Sequence, residues 1–341
     1  MTRVRSRSKP WRIAPFIALA LGLALTAWLV AAASLPVVLE GFAKVGWAAM
    51  AVVAVRATIM TTNGVAWGRL LAGLTKVPHG VFVLLRWVRD AIDALLPVAG
   101  VGGALIAARE LTFWRVPATL ALASVLADVL LQAIAQVVFA LAGAVLLAAL
   151  IGPNVVLLGA AAGLSLAAAA LLGFYALQTQ SRAGVRLAAR ALALLSPRLA
   201  ERARRVGPRF DAAVMQIWHG RRRQLLAVLL LHTMAWAFGT LEVWITLRCL
   251  GSPATWAQAV AIESLGTSIS IAAMFIPGSW GVQEGGYILL GQLLGVPLPN
   301  ALTLSLVKRI PDFTLGLPGL LIWYALEMRR VVVRRAPAGE R

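Results

Sequence analysis

Residues 275–286 read Phe275-Ile276-Pro277-Gly278-Ser279-Trp280-Gly281-Val282-Gln283-Glu284-Gly285-Gly286 and separate two apolar segments, residues 257–275 and 287–294. Each segment is shorter than the about 20 residues that a membrane-spanning helix requires. Pro277 lacks a backbone N–H donor, and the glycines beside it weaken any regular helix. Backbone without helical partners at membrane depth must be covered by protein or line a water-filled cavity, so the stretch is typical of the turn of a re-entrant hairpin. The alternative is an extramembrane loop with a Pro-Gly turn.

The composition of the whole chain is that of a polytopic membrane protein. Of its 341 residues, 60% are hydrophobic and 13% are charged, which separates it from a soluble domain of the same length. The net charge of +19 comes from basic residues that flank the apolar runs. Such residues favour the cytoplasmic side of a membrane and its anionic lipids, and nucleic-acid binding is not expected.

A second Pro/Gly break lies in the first half of the chain, within residues 84–108. Leu95-Leu96-Pro97 precedes Gly102-Gly103, and Arg109-Glu110 follows. Short apolar segments again flank the break, which predicts a second re-entrant hairpin. We expect the following residues to interrupt the helices of the two hairpins: Pro97, Gly102, Gly103, Pro277, Gly278, Gly281, Gly285 and Gly286.

Six longer apolar runs predict full membrane spans, at roughly 13–36, 45–67, 117–150, 155–177, 222–250 and 301–327. The expected fold is therefore an all-α polytopic membrane protein, with six transmembrane helices and two re-entrant hairpins in one integral membrane domain, 1–341. Its two halves would be residues 13–177 and 222–327. The basic N-terminus, 1–12, and the basic tail, 328–341, are expected in the cytoplasm.

The charge bias also orients the two predicted hairpins. With every basic cluster on the cytoplasmic side, the hairpin at 84–108 enters from the inside and the one around Pro277 from the outside. Hairpins that enter from opposite faces are the pattern of an inverted repeat, whose substrate site lies where the broken helices meet near the midplane.

The segment 181–223 differs in character from the rest of the chain. It holds eleven arginines against only Glu201 and Asp211. Arginines recur at every fourth position from Arg182, opposite a run of alanine and leucine, which predicts a basic amphipathic helix on the membrane surface that binds anionic lipid headgroups. The alternative is a solvated linker helix.

Several polar residues lie inside the predicted spans. Asp128, Gln132 and Gln136 are four residues apart and share one helical face, which should look into the bundle. His232 is predicted to be a packed helix–helix donor, with a proton relay as the alternative. The three histidines and single cysteine have no metal-ligand spacing, and the chain carries no nucleotide-binding or nucleophile-elbow motif. No cofactor, metal or enzymatic activity is therefore expected.

The motifs of the two breaks resemble those of a known family. Residues 276–284 are similar to the Pro-Gly-Gly-x-Gly-x-x-Glu signature of flippase-like membrane proteins that resemble the transmembrane part of lysylphosphatidylglycerol synthase, with Ser279 in place of the second glycine. The first break with Arg109 resembles the family's first-half motif, and Lys308-Arg309 its basic pair in the last span. The run 277–286 and residues 317–323 are most similar to the hopanoid-biosynthesis-associated branch.

This resemblance implies a lipid flippase or transporter of the bacterial inner membrane that handles hopanoids or a related polar lipid. The residues expected to line its translocation site are Glu284, Glu263, Arg89, Arg109, Lys308 and Arg309. The four basic residues would meet an anionic or hydroxylated headgroup; the alternative is internal ion pairing, such as Arg309 with Asp312. A second hypothesis is a non-transporting membrane partner of lipid-biosynthesis enzymes, and a membrane-embedded transferase is the third.

Overall fold

The computed structural model describes residues 14–96, 102–179, 186, 189–191, 193 and 196–335. Pro97, the predicted basic N-terminus 1–12, residues 336–341 of the predicted basic tail, and most of residues 180–195 lie outside this description. The described chain is 86% helix and contains no strand. Its helices are α1 Ala14–Ala32, α2 Leu35–Val45, α3 Ala48–Leu70, α4 His79–Leu95, α5 Gly102–Leu111, α6 Ala118–Ile151, α7 Val155–Thr179, α8 Pro197–Trp218, α9 Arg222–Cys249, α10 Trp256–Ala272, α11 Val282–Leu293, α12 Leu298–Val307, α13 Ile310–Thr314 and α14 Gly316–Arg335.

The prediction of an all-helical, multi-pass membrane protein is confirmed at this level. Four described helices are long and apolar enough to cross a membrane, namely α3, α6, α7 and α9. Helices α1 and α2 count as a fifth span if taken together, although the chain bends by 90° between them. The structure thus supports four or five spans by length and composition.

The predicted last span, 301–327, is divided into α12, α13 and α14. Pro311 lies in the first turn of α13, where its missing N–H donor and fixed φ are tolerated. Interruptions at residues 308–309 and at Leu315 separate the three helices, and none of the three is among the helices long and apolar enough to cross a membrane. This break brings Lys308 and Arg309, at the end of α12, to a helix junction.

The hairpin around Pro277 consists of α10 and α11. Its turn contains a short 3-10 helix, Pro277–Ser279, and left-handed backbone at Gly278 (φ 63°) and Gly281 (φ 78°). The break is narrower than the glycine pattern predicts, because Gly285 and Gly286 lie within α11. A side chain at Gly286 would press on Ile269 of α10, so this glycine allows the two arms to approach closely.

The arms α4 and α5 correspond to the other predicted hairpin and also pack closely. Gly102 and Gly103 begin α5 instead of preceding it. A Cβ atom on Gly103 would lie 2.3 Å from the carbonyl oxygen of Arg89, a distance that only glycine permits. The small residue therefore sets the spacing between the arms.

The turn of the second hairpin meets the end of the first one. A Cβ atom on Gly278 would lie 3.6 Å from the carbonyl oxygen of Ala94 in α4. On its other side the turn packs on α1, where Gly22 lies against the backbone of Trp280. Trp87 of α4 also donates from Nε1 to the carbonyl oxygen of Leu315, at 2.6 Å, beside α14. The turn at Pro277, the end of α4 and the divided last segment therefore lie around one region.

Candidate functional site

A cavity of about 280 Å³ lies in this region, between α3, α4, α9, α10, α11 and α13. Its wall is strongly charged and includes Arg56, Arg86, Asp90, Asp93, Glu242, Glu263, Lys308 and Asp312. Ionisable side chains are rare within membrane-spanning segments, where they form pairs with one another or belong to functional sites. The cavity is therefore the first candidate for a functional site.

Glu242 of α9 is the most highly paired carboxylate in the wall. Arg56 of α3 donates to its two oxygens from Nε and Nη2, both at 2.8 Å. The ammonium of Lys308 donates to Oε2 at 2.5 Å. Glu242 is fully buried, and two cations within hydrogen-bonding distance offset the cost of burying a carboxyl group there.

Lys308 also reaches a second carboxylate, that of Glu263 on α10. Its Nζ lies 2.9 Å from Oε2 of Glu263, which further accepts from the hydroxyl of Tyr287 at 2.8 Å. A Cβ atom on Gly239 of α9 would lie 2.4 Å from Oε1 of Glu263. Glycine at this position is therefore what admits the carboxyl group between α9 and α10.

A second cluster surrounds Asp128 of α6 and adjoins the cavity wall through Arg86, whose Nη1 lies 3.8 Å from Oδ2 of Asp128. Arg89 donates from Nη1 to Oδ2 at 3.0 Å, and Nε2 of His232 lies 3.1 Å from Oδ1. The other ring nitrogen of His232 lies 2.8 Å from Oδ1 of Asn63 on α3. His232 thus makes the interhelical hydrogen bonds expected of a packed histidine.

The polar face predicted on α6 does look into the bundle. Asp128 is fully buried, and Gln136 is 6% exposed and donates to Ser268 of α10 at 3.0 Å. Gln132 accepts from Arg86 at 3.3 Å and reaches the cavity wall. The stripe therefore connects α6 to both hairpins.

Glu284 braces the turn of the second hairpin and is not among the residues that line the cavity. Its Oε2 accepts from the backbone N–H of Gly281 at 2.6 Å, which closes the N-terminus of α11. Its Oε1 accepts from Arg309 Nε at 3.0 Å. Arg309 in turn donates to the carbonyl oxygen of Gly278 at 2.5 Å and lies 4.2 Å from the ring centre of Trp280. Both carboxylate oxygens of Glu284 are thus occupied.

A similar arrangement holds the first hairpin. Oδ1 of Asp93 in α4 accepts from the backbone N–H of Gly103 in α5 at 2.9 Å. Nε of Arg89 lies 3.9 Å from Oδ2 of the same carboxylate. In each hairpin, an acid therefore accepts from a backbone amide close to the break and has an arginine beside it.

Arg109 lies away from this region. It pairs with Glu327 of α14 at 2.7 Å and is exposed. Next to it, Glu110 is fully buried, 3.6 Å from Arg330. Burial raises the pKa of Glu110 to about 7, and the nearby Arg330 opposes this shift. Of the six predicted site residues, the structure brings Arg89, Glu263, Glu284, Lys308 and Arg309 around the hairpins and places Arg109 elsewhere.

The ionisable side chains around the hairpins and cavity contain more acids than bases. Five are cations, Arg56, Arg86, Arg89, Lys308 and Arg309, and seven are carboxylates, Asp90, Asp93, Asp128, Glu242, Glu263, Glu284 and Asp312. Each cation has a carboxylate oxygen within 3.0 Å. A molecule that enters the cavity therefore meets no unpaired cation among these side chains.

Several of these residues were not among the predicted site residues. Arg56 and Glu242 are charged residues within apolar runs, and this feature alone is enough to identify them as candidate site residues from the sequence. Tyr287 carries no such signal, because an aromatic side chain is unremarkable in a span. His232 was predicted as a packed helix–helix donor and not as a residue of the translocation site.

The family described as Lysylphosphatidylglycerol synthase TM region matches residues 16–319, which is most of the chain. No curated protein and no solved structure shows a significant match. The matched residues include both helix breaks and the whole charged cavity wall.

Proposed function

We propose that this chain, which belongs to the Lysylphosphatidylglycerol synthase TM region family, is a lipid flippase of the bacterial inner membrane. Family membership supports a membrane protein in lipid-related processes, and translocation is the specific step that we propose. The observation that carries the proposal is the charged cavity of about 280 Å³ at the meeting point of two interrupted helix pairs.

The architecture that we propose for this activity is six spans and two re-entrant hairpins in an inverted repeat. Its support is the matching pair of braces, Asp93 with the Gly103 amide and Glu284 with the Gly281 amide. Transporters with inverted repeats bind their substrates at the interface of the repeats, between interrupted helices. A charged cavity between the helices of the two proposed hairpins supports this arrangement.

The substrate that we propose is a lipid with a hydroxylated polar end, such as a hopanoid or a related polar lipid. The cations of the cavity wall are already paired, whereas Asp90, Asp93 and Asp312 are partly exposed at the cavity. Carboxylates accept hydrogen bonds from hydroxyl groups. The excess of carboxylates would repel a purely anionic headgroup. Of the two headgroup types expected from the sequence, anionic and hydroxylated, we therefore propose the hydroxylated one.

The test is reconstitution of the purified chain into vesicles that contain a fluorescent lipid with a polyol headgroup. Only a translocator changes the fraction of label that an impermeant quencher reaches. Asp90→Asn removes a cavity carboxylate and should slow this exchange, whereas Glu40→Gln changes an exposed pair with Lys44 and should not. No exchange above protein-free vesicles with any lipid would overturn the proposal.

A non-transporting partner of lipid-biosynthesis enzymes is the second candidate, and the exposed basic face of α8 favours it. This role predicts no change in leaflet accessibility. It also predicts that lipid-biosynthesis enzymes copurify with the chain and that replacement of the α8 arginines by glutamine releases them.

A further inference from the structure

A second cavity, of about 600 Å³, lies between α6, α7 and α8. Its wall is mostly apolar and includes Leu122, Leu126, Phe174, Leu177, Val206, Phe210 and Val214. Its volume and its lining are typical of sites that bind largely apolar small molecules. None of its wall residues belongs to the charged cavity described above.

Specific side-chain contacts hold α8 over this cavity. Trp218, at the end of α8, donates from Nε1 to the side-chain oxygen of Gln178 on α7 at 3.1 Å. Its ring stacks edge-on against Tyr175, with the centroids 5.3 Å apart. Gln178 also donates to the carbonyl oxygen of Leu126 on α6, at 3.3 Å. The three walls are therefore joined to one another at this end.

The arginines of α8 are distributed unevenly around the cavity. The helix directs residues 203, 206, 207, 210, 211 and 214 at the cavity. With 3.6 residues per turn, Arg202 and Arg209 fall together on the border next to Val206, where α8 adds no acid to the wall. Arg204 falls on the other border, where the carboxylate of Asp211 lines the cavity. Arg205 points away and pairs with Glu201. The border at Arg202 and Arg209 therefore combines positive charge with access to the apolar cavity.

We infer that this cavity binds one lipid of the cytoplasmic leaflet, with an acyl chain against α6 and α7 and an anionic headgroup against Arg202 and Arg209. The side of the membrane rests on the topology in the proposed function. The cavity provides the apolar contact, and the exposed Arg202 and Arg209 provide the positive charge that attracts anionic headgroups of that leaflet. The site is a single discrete position, distinct from diffuse attraction of the whole basic segment to a charged surface.

The experiment is a titration of the purified full-length chain, in neutral detergent, with dioleoylphosphatidylglycerol or dioleoylphosphatidylcholine, read by native mass spectrometry. We expect one tightly bound phosphatidylglycerol per chain and weaker binding of phosphatidylcholine. Two double variants carry the same change in net charge. Arg202→Gln/Arg209→Gln should lower the affinity for phosphatidylglycerol roughly 30-fold, whereas Arg204→Gln/Arg205→Gln should change it less than about threefold.

A third variant tests the cavity itself. Val206 is 49% exposed and lines the cavity, so Val206→Trp adds bulk there without disturbing the buried core. It should abolish the single bound lipid while the detergent melting temperature stays at the parental value. Equal losses in the two double variants, or equal binding of both lipids, would overturn the inference. Because the readout is binding alone, a chain that binds the lipid but does not flip it would contradict only the proposed function.

Discussion

The ammonium of Lys308 lies 2.5 Å from Oε2 of Glu242 and so joins the junction of α12 and α13 to the long helix α9. Lys308 is only 4% exposed, and its nearest alternative partner is also a carboxylate, that of Glu263. The ammonium of Lys308 thus bridges the carboxylates of Glu242 and Glu263 at the wall of the cavity. The break that interrupts the predicted last span is what places it there.

We expect Lys308→Met to lower the stability of the protein by about 3–5 kcal/mol, because it leaves two neighbouring buried carboxylates without their shared cation. Lys308→Met/Glu263→Gln should recover part of this loss, since only one acid then remains, and Arg56 still pairs with it. The measurement is the melting temperature in detergent for both variants. Parental stability of Lys308→Met would show that the pair does not support the fold.

The sequence is sufficient for the class of fold and for the location of the break at Pro277. Pro277 and Gly278 do form a turn between two short helices, because a proline followed by a glycine with positive φ cannot continue a helix. The apolar runs around 45–67 and 117–150 become uninterrupted helices. These features depend on local chemistry, which a single sequence carries.

The ion pairs could not be predicted in the same way. Arg56 and Glu242 are 186 residues apart, and nothing local indicates that α3 lies along α9. The division of 301–327 into three helices was also missed, since apolar content alone does not reveal where a helix ends. Gly285 and Gly286 were read as part of the break, but the Glu284 cap starts α11 before them.

The pH dependence of stability should report on Glu110. Its pKa is raised from 4.5 to about 7 in the folded chain because it is buried, so the folded state binds a proton more tightly than the unfolded state does. Stability from this group is therefore full below pH 4.5 and is lost as the pH rises to about 7. Melting temperatures between pH 5 and pH 8 should fall more steeply for the parent than for Glu110→Gln.

The groups that face Glu110 supply the control for this experiment. They are Arg330 and Glu327 on α14 and Arg109 on its own helix. Glu40→Gln, in an exposed pair on α2, should keep the parental slope. Identical slopes for the parent and Glu110→Gln would contradict a proton held at this position.

Cysteine labelling tests the orientation of the chain. After replacement of Cys249 by serine, single cysteines at Asn154 and Ser252 should react with an impermeant reagent added from the periplasmic side. Cysteines at Ala183 and Ala338 should react only after the membrane is opened, because basic segments remain on the cytoplasmic side. Reaction of Asn154 from the cytoplasmic side would contradict the proposed topology of six spans and two hairpins.

Replacement of Glu284 distinguishes between two roles of this residue, structural support of the hairpin turn and direct action on the substrate. Its oxygens accept from the Gly281 amide and from Arg309, so the geometry favours the brace. Glu284→Gln keeps an acceptor for the amide, and we expect it to flip lipid at close to the parental rate with a modestly lower melting temperature. Glu284→Ala leaves Arg309 buried without its carboxylate, and we expect a loss of about 3 kcal/mol or more.

The two measurements for these variants, melting temperature in detergent and flipping rate in vesicles, must be made on the same preparations. A structural brace predicts that flipping per folded molecule stays constant while the melting temperature falls from the parent to Glu284→Gln to Glu284→Ala. A group that carries a proton or contacts the headgroup predicts the reverse, a Glu284→Gln protein that is stable but does not flip lipid. That result would show that Glu284 takes part in translocation directly, because a neutral amide of the same shape can support the turn but cannot take up a proton.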